Sequence, residues 1–404
     1  MHPVEERERI LSLDVIRGFA VLGILAVNAA YFAAPWQTAI NPALAPLTVT
    51  DATLNAWLAM HVFFEHKCIT LFSMLFGVSI YLVGGEREEE RGRGNVLLRR
   101  LLWLLAFGLV HALLIWDGDI LVTYALAGLL VSLARSWPAV RLMVTGACIY
   151  AATILLEALG AVSMIQWSDA DLKDVTESYW APPPEEIARV IAAYQGGALS
   201  ALQENFSTWT MFAGFGLPGL IVQTGSLMLI GLALYKWGFL SGRAPVWLYL
   251  LMLALGAGAF AIIFAQARAN YANGFEFAYM HRIGQRANDL AIFGSLFYAS
   301  LFILLIKAGA RFITAPLAAV GRTAFTNYIA QSLIMTTIFY GGRGFGLFGE
   351  VDRNELWAIV LGVWVVQLIW SPVWLAMFKM GPLEWVWRRL SYGAPIEITK
   401  GKNA

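Results

Sequence analysis

Charge is what this chain has least of. Asp, Glu, Lys and Arg make up 14% of its 404 residues while 59% are hydrophobic, too little polar surface to coat a water-soluble globule of that size. The two signs nearly cancel, leaving a net charge of +1, and no basic patch interleaved with aromatics occurs, so nucleic acid is not an expected partner. Cysteine is almost missing. Cys68 and Cys148 both fall inside apolar runs, which leaves no disulfide framework and no paired thiol spacing for zinc. Neither a structural metal nor a permanently bound cofactor is expected. No internal repeat of the kind found in inverted-repeat transporters is visible.

What the chain has instead is a succession of apolar runs, each near the roughly 20 residues that a bilayer core of about 30 Å requires. They read as spans near 11–32, 54–83, 96–116, 120–133, 140–165, 209–234, 246–264, 290–306, 317–340 and 356–378, the fourth being short. The expected fold is therefore all-α: a polytopic integral membrane bundle of about ten transmembrane helices, forming one transmembrane domain over 1–404. The first run is long for the apolar core of a secretory signal and carries Asp14 and Arg17, so it reads as a span rather than a cleaved leader. Placing both termini in the cytoplasm puts 18 Lys and Arg residues inside, Arg7, Arg9, Arg87 and Lys402 among them, and 7 outside.

Two connections stand out. Residues 166–206 form a long extracytoplasmic segment, acidic and then Pro-rich, in which Glu185 and Glu186 open a helix whose Ile187, Val190, Ile191 and Tyr194 share one face. Such an amphipathic helix lies on the membrane surface, lids a cavity or is a half-buried part of an ordinary connector. Residues 86–95 are a mixed charge run with glycine and read as a solvated cytoplasmic loop.

The ionisable residues inside the spans gather at one depth. At about 1.5 Å per residue, Lys67 lies about 25 Å from Gly84 and Asn28 about 27 Å from Ile10, with Glu65 one step further out; the third span climbs a similar height to the turn Trp116-Asp117-Gly118-Asp119. A charge held there is costly unless it faces protein or water, so this level is where a site is expected. His61 and Glu65 share a helix face at a spacing of four. Lys67 points elsewhere, toward Asp117 or Asp119 as counter-ion. His111, about 16 Å up the third span, has an unperturbed pKa near neutrality that suits a general base or proton carrier, and equally a structural hydrogen-bonding role. In the ninth span, Thr323, Asn327 and Gln331, with Tyr328 and Ser332, form a polar flank that either joins helices or lines a pocket. Arg322 stands low enough to bind an anionic group at the cytoplasmic surface, and Asp14 and Arg17 neutralise each other.

Three segments carry a resemblance: Gly321-Arg-Thr-Ala-Phe-Thr-Asn-Tyr-Ile-Ala-Gln-Ser332, Phe339-Tyr-Gly-Gly-Arg-Gly-Phe-Gly-Leu-Phe-Gly349 and Gly381-Pro-Leu-Glu-Trp-Val-Trp-Arg388. With Leu13-Asp-Val-Ile-Arg-Gly-Phe-Ala20, Leu71-Phe-Ser-Met-Leu-Phe-Gly77 and Gly118-Asp-Ile-Leu121, they resemble the YeiB-like bacterial membrane family, domain of unknown function 418, with a family-defining region over 230–395. That implies a bacterial inner-membrane location. The first two spans are also similar to those of membrane acyltransferases such as the lysosomal heparan-α-glucosaminide N-acetyltransferase, in which a histidine faces the non-cytoplasmic side. In this chain His61 is taken as its nearest counterpart, although at a different spacing.

The resemblance implies an acyl group moved from an acyl-CoA-type co-substrate to an extracytoplasmic hydroxyl or amine on a glycan or lipid. Arg99, Arg100 and Arg322 would counter the phosphates of the thioester, His111 or His61 would take the acceptor's proton, and Lys67 or Asn28 would steady the oxyanion. The alternative is a secondary transporter of a small polar solute in which Glu65, Lys67, His111 and Asp117 relay protons. The partners expected are the lipid bilayer, a small-molecule or glycan substrate and, as an admitted assembly, a second copy of the chain.

Overall fold

The computed structural model of the protein describes residues 10–44, 46, 50–86 and 91–400. The inside-positive expectations on Arg7, Arg9, Arg87 and Lys402 lie outside the described residues, as does the side chain of Arg91. Among the described residues there is no strand, only an isolated antiparallel bridge between Phe378 and Thr399, and the architecture is a helix bundle.

Apolar length sets the elements. The chain opens with α1 (Leu11–Ala33) and a short α2 (Trp36–Ile40), then α3 (Asp51–Phe63), α4 (Lys67–Gly84), α5 (Arg91–Leu114), α6 (Leu121–Ser132) and α7 (Ala139–Ser163). The long connection holds α8 (Asp169–Val175) and α9 (Pro184–Gln195); α10 (Ala198–Phe215), α11 (Leu217–Lys236) and α12 (Val246–Ala272) follow. The last third consists of α13 (Phe277–Tyr279), α14 (Ala291–Lys307), α15 (Arg311–Arg322), α16 (Ala324–Phe339), α17 (Arg353–Met377) and α18 (Pro382–Tyr392). Eight helical stretches among the described residues are long and apolar enough to cross a membrane, and Leu121–Ser132 is a shorter apolar helix. The ten expected spans are accounted for by those eight, the short α6 and the broken pair α15–α16.

Three expected continuous spans are interrupted. The second breaks over Phe64–His66, where His66 takes a left-handed conformation (φ 61°) and the backbone N–H groups of Lys67 and Glu65 turn to Phe64 and Met60 carbonyls. Helix α3 with α4 would be 34 residues long, far more than about 20 are needed to cross, so a break costs no spanning length. The ninth breaks at Thr323 (φ −113°, ψ 29°), and the Glu384 carboxylate of α18 accepts the Phe325 N–H at 2.7 Å and the Thr326 N–H at 3.2 Å, satisfying donors that the break frees. The sixth bends at Gly216, ahead of Pro218, which separates α10 from α11. Residues 91–95, expected in a cytoplasmic loop, are instead the first turn of α5.

Helices of nearly equal hydropathy take different places in the bundle. The apolar stretch of α1 is 72% buried and that of α7 only 11%, so α1 is the central rod and α7 an outer one whose Leu155, Leu156, Leu159 and Val162 face outward. An apolar outward face suits lipid, not water. Helices α1 and α15 cross at Gly18 and Gly321, where an added Cβ would sit 1.9 Å from the Leu317 and Asp14 carbonyl oxygens respectively; hydrogen as side chain is what lets the backbones meet. The expected Asp14–Arg17 pair forms at 2.9 Å. The first turns of α1 lie within electrostatic reach of Arg388 in α18, so both ends of the described chain share one end of the bundle, termed here proximal.

The glycine-rich stretch after α16 is a structural seam. Gly341 donates its N–H to the Tyr194 carbonyl at 2.8 Å, and a Cβ there would meet the Gln195 carbonyl oxygen at 1.9 Å. Arg343 reaches the other way, donating to the carbonyls of Ile115, at 2.9 Å, and Leu114, the open end of α5. A guanidinium there satisfies orphan carbonyls and complements the helix dipole.

Candidate functional site

The distal end of the bundle encloses a cavity of about 690 Å³, built where α1 ends, where α3 gives way to α4 and where α5 turns into α6. Of Asn28, Glu65, Lys67, Asp117 and Asp119, expected at one level, all but Lys67 line it. Tyr31, Trp36, Trp116 and Tyr179 supply aromatic walls, and Met211, Phe212 and Phe215 of α10 with Leu220 of α11 form an apolar side. Among the described residues no group of three His, Cys, Asp or Glu side chains could hold a metal ion.

The turn between α5 and α6 is fixed from several directions. Trp116 stacks on Phe32 with centroids 3.9 Å apart, and a Cβ on Gly118 would strike its ring at 2.3 Å. Asp119 Oδ1 accepts the Val122 N–H at 2.8 Å, capping the start of α6, and Oδ2 lies 2.7 Å from His111 Nδ1. Asp117 is half-buried at the cavity wall, where Tyr194 of α9 donates to its Oδ1 at 3.4 Å. Burial pushes the Asp117 carboxyl up to about 7, with the Tyr194 hydrogen bond opposing and Glu204 adding to the rise. Helix α9 thus reaches the site, with Ile187, Val190 and Tyr194 buried as the sequence periodicity predicts and Ile191 partly so.

His111 lies behind this wall. Its Nδ1 faces Asp119 and its Nε2 lies 2.9 Å from Ser332 Oγ, so both ring nitrogens are engaged within a buried set. Tyr328 packs beside it with ring centroids 5.3 Å apart. His61 is buried, stacked on Trp57 at 4.7 Å and paired through Nδ1 with Glu65, as the i, i+4 spacing predicts. Lys67 departs from expectation: its Nζ meets neither Asp117 nor Asp119 but donates to the His61 carbonyl at 2.8 Å. The break after α3 frees that carbonyl, and Asp119 is already taken by His111.

The remaining expected site residues are not brought to the cavity. Asn327 and Gln331 turn toward α17, where Asn327 Nδ2 donates to Ser371 Oγ at 3.1 Å and Gln331 Nε2 to Gln367 Oε1 at 2.8 Å. This is an interhelical ladder that satisfies polar groups inside an apolar belt. Arg99, Arg100 and Arg322 are at the proximal end: Arg100 lies 4.1 Å over the Trp387 ring, Arg322 donates to the Lys379 carbonyl at 3.3 Å and Arg99 is exposed.

The residue that sequence reasoning passed over is His66. It stands nearer the Leu71–Gly77 segment than His61 does, is exposed, and lines the cavity from the turn that breaks the second span. Its left-handed backbone carries an ordinary histidine where glycine would be easier, and non-glycine residues held in that region cluster at functional sites. The signal available in sequence was the run His61 to Lys67, which places four polar residues within seven on an apolar span too long for one crossing.

The family described as "Protein of unknown function (DUF418)" matches residues 234–394. An uncharacterised protein, YeiB, of Escherichia coli is 34% identical over 405 residues, covering 96% of this chain and 97% of the relative. An uncharacterised protein, YxaH, of Bacillus subtilis is 32% identical over 425 residues, covering 97% and 96%. An uncharacterised 39.9 kDa protein from the amylase 3′ region of Bacillus acidopullulyticus is 29% identical over the full length of both chains. No solved structure matches.

Proposed function

Taking as premise that the chain belongs to the YeiB-like DUF418 family, we propose that it is a membrane acyltransferase, moving an acyl group from an acyl-CoA-type thioester to a hydroxyl or amine acceptor on a glycan or lipid. The observation that carries the reading is that His66 and Asp117 open onto the same cavity as Asn28 and Glu65, while the ionisable residues behind them, His111 and Lys67, are engaged by protein partners. A base that is accessible, with its neighbours held still, is what acyl transfer needs.

The chemistry follows from the positions. The acceptor's oxygen or nitrogen gives its proton to the His66 imidazole and attacks the thioester carbonyl carbon. The Asn28 amide donates to the oxyanion that forms. The C–S bond then breaks, the acyl group stays on the acceptor, and the departing thiolate takes the proton from the imidazolium. His111 and Asp119 hold the α5–α6 turn in place and are positioning residues in this scheme, and Lys67 fixes the break between α3 and α4.

The test is transfer of radiolabelled acetyl groups from acetyl-CoA to glycan or lipid acceptors by purified protein in lipid. Transfer by the wild type and its loss in His66→Gly is the expected result. Absence of both transfer and thioester binding by calorimetry overturns the reading. One feature favours a second reading, secondary transport: discontinuous helices at the cavity, here at 64–66 and at Gly216, recur at transporter substrate sites. Proton-coupled uptake into vesicles that is lost in Glu65→Gln would favour it.

A further inference from the structure

We infer that the acceptor is taken sideways from the membrane: an amphiphile whose long apolar chain stays in the bilayer while a hydroxyl-bearing, non-anionic head enters the cavity between α1, α4 and α10. The cavity is mixed in character. Asn28, His66 and Asp117 give its lining polar groups, and Ile69, Ile120, Met211, Phe215 and Leu220 give it apolar ones. At about 690 Å³ it lies within the roughly 300–1,000 Å³ typical of small-molecule sites, room for a head and the first part of a chain.

Its edge lies on the flank of the bundle. Phe215 lines the cavity and is 88% exposed, and Met211 beside it is 46% exposed, so the cavity runs out at these side chains. The neighbouring outward surface is apolar as well, with Phe206 54% and Val222 47% exposed. Exposed apolar side chains around a mouth in a membrane-spanning bundle face hydrocarbon. Helix α11 has 20 residues, about 30 Å of rise, so its first turn stands at one boundary of the apolar belt.

Helix α10 is a thin partition over this opening. It buries only Ala201 and Asn205, and Asn205 ties it to α5 through a 2.7 Å hydrogen bond to the Ala112 carbonyl. Charge decides the head. Among the described residues the lining holds the carboxyl groups of Glu65, Asp117 and Asp119, the first paired with His61 and the last with His111, and no Lys or Arg, which disfavours a phosphate and favours groups that donate hydrogen bonds. Trp116 Nε1, buried and without a hydrogen-bond partner among the described residues, is a donor that a head hydroxyl could meet.

The inference rests on the acyl-transfer reading only for the fate of the head, so its test measures binding with no acyl donor present. The full-length protein in lipid nanodiscs is photolabelled with an alkyl glucoside carrying a diazirine in its chain, and adducts are mapped by mass spectrometry. Adducts are expected on residues 206–220 and near Ile120, with excess dodecyl glucoside blocking them. Methyl glucoside and a dodecyl phosphate should not compete. Met211→Trp and Leu220→Trp, which fill the mouth, should each cut labelling about tenfold with unchanged melting temperature. Adducts spread without competition over the outer faces of α7 and α12, equal labelling of the mouth variants, or competition by methyl glucoside or dodecyl phosphate at matched concentration would each overturn the inference. Transfer to a soluble glycan alongside absent labelling would leave the enzyme reading intact and remove only the lipid acceptor.

Discussion

His111 Nδ1 lies 2.7 Å from Asp119 Oδ2, with 1% and 0% of the two side chains exposed, and this pair joins the end of α5 to the start of α6. Its second nitrogen is engaged by Ser332, so the pair is read as a brace for the α5–α6 turn. Removing one member of a buried hydrogen-bonded pair typically costs about 1–3 kcal/mol because its partner is left unsatisfied. His111→Ala should therefore lower the melting temperature strongly, and His111→Gln, which can still donate to Asp119, should recover part of the loss. Thermal unfolding in lipid nanodiscs checks this; an unchanged midpoint in His111→Ala would contradict the bracing role.

His66 separates fold from chemistry. A left-handed backbone costs a non-glycine residue roughly 1–2 kcal/mol, so His66→Gly should leave the melting temperature equal or higher. Loss of a general base typically costs about 100-fold or more in rate. A stable variant with transfer undiminished would show that His66 is not the base.

Asp117 supplies a pH dependence. Its carboxyl is pushed up to about 7, chiefly by burial, from an ordinary value near 4. With the folded value raised above the unfolded one, the stability contributed by the neutral acid is full below about pH 4 and is lost as pH rises through about 7. Because the side chain lines the cavity and is only half-buried, water entering the cavity tempers the size of the effect. Relative to Asp117→Asn, the wild type should lose melting temperature between pH 4 and pH 8. Parallel melting curves for the two proteins across that range would refute the shift.

The crossing of α1 with α15 makes a contrast in one residue type. A Cβ on Gly18 would stand 1.9 Å from a backbone carbonyl that cannot rotate away, so Gly18→Ala should cost about 2 kcal/mol or more as the helices are pushed apart. On α12, Gly258 has nothing within 4 Å of its added Cβ, and Gly258→Ala should be neutral or gain up to about 1 kcal/mol from helix propensity. Equal melting temperatures for the two variants would argue against the tight crossing.

The polar flank of the ninth span illustrates what a sequence leaves open. Asn327 and Gln331 share a helix face by spacing alone, but whether that face meets a cavity or another helix depends on how α16 is rotated, and Ser371 and Gln367 of α17 decide it. His111 is similar, because its engagement depends on Ser332, 221 residues away in the chain. The break at His66 is only partly local, since the polar run His61 to Lys67 marks the region of a 34-residue stretch too long for one crossing while packing selects the residue at which it bends.

By itself the amino-acid sequence determined the class of the protein, the number and approximate limits of its apolar elements, the apolar face of α9 and the common depth of Asn28, Glu65, Asp117 and Asp119. Hydropathy is a local property and the rise per helical residue is fixed, so both can be read along one chain. Which polar groups face a shared hollow and which are used up on neighbours was decided only by tertiary structure. Helix rotation and side-chain pairing depend on partners hundreds of residues distant, and a buried donor is spent on whichever acceptor packing brings within about 3 Å.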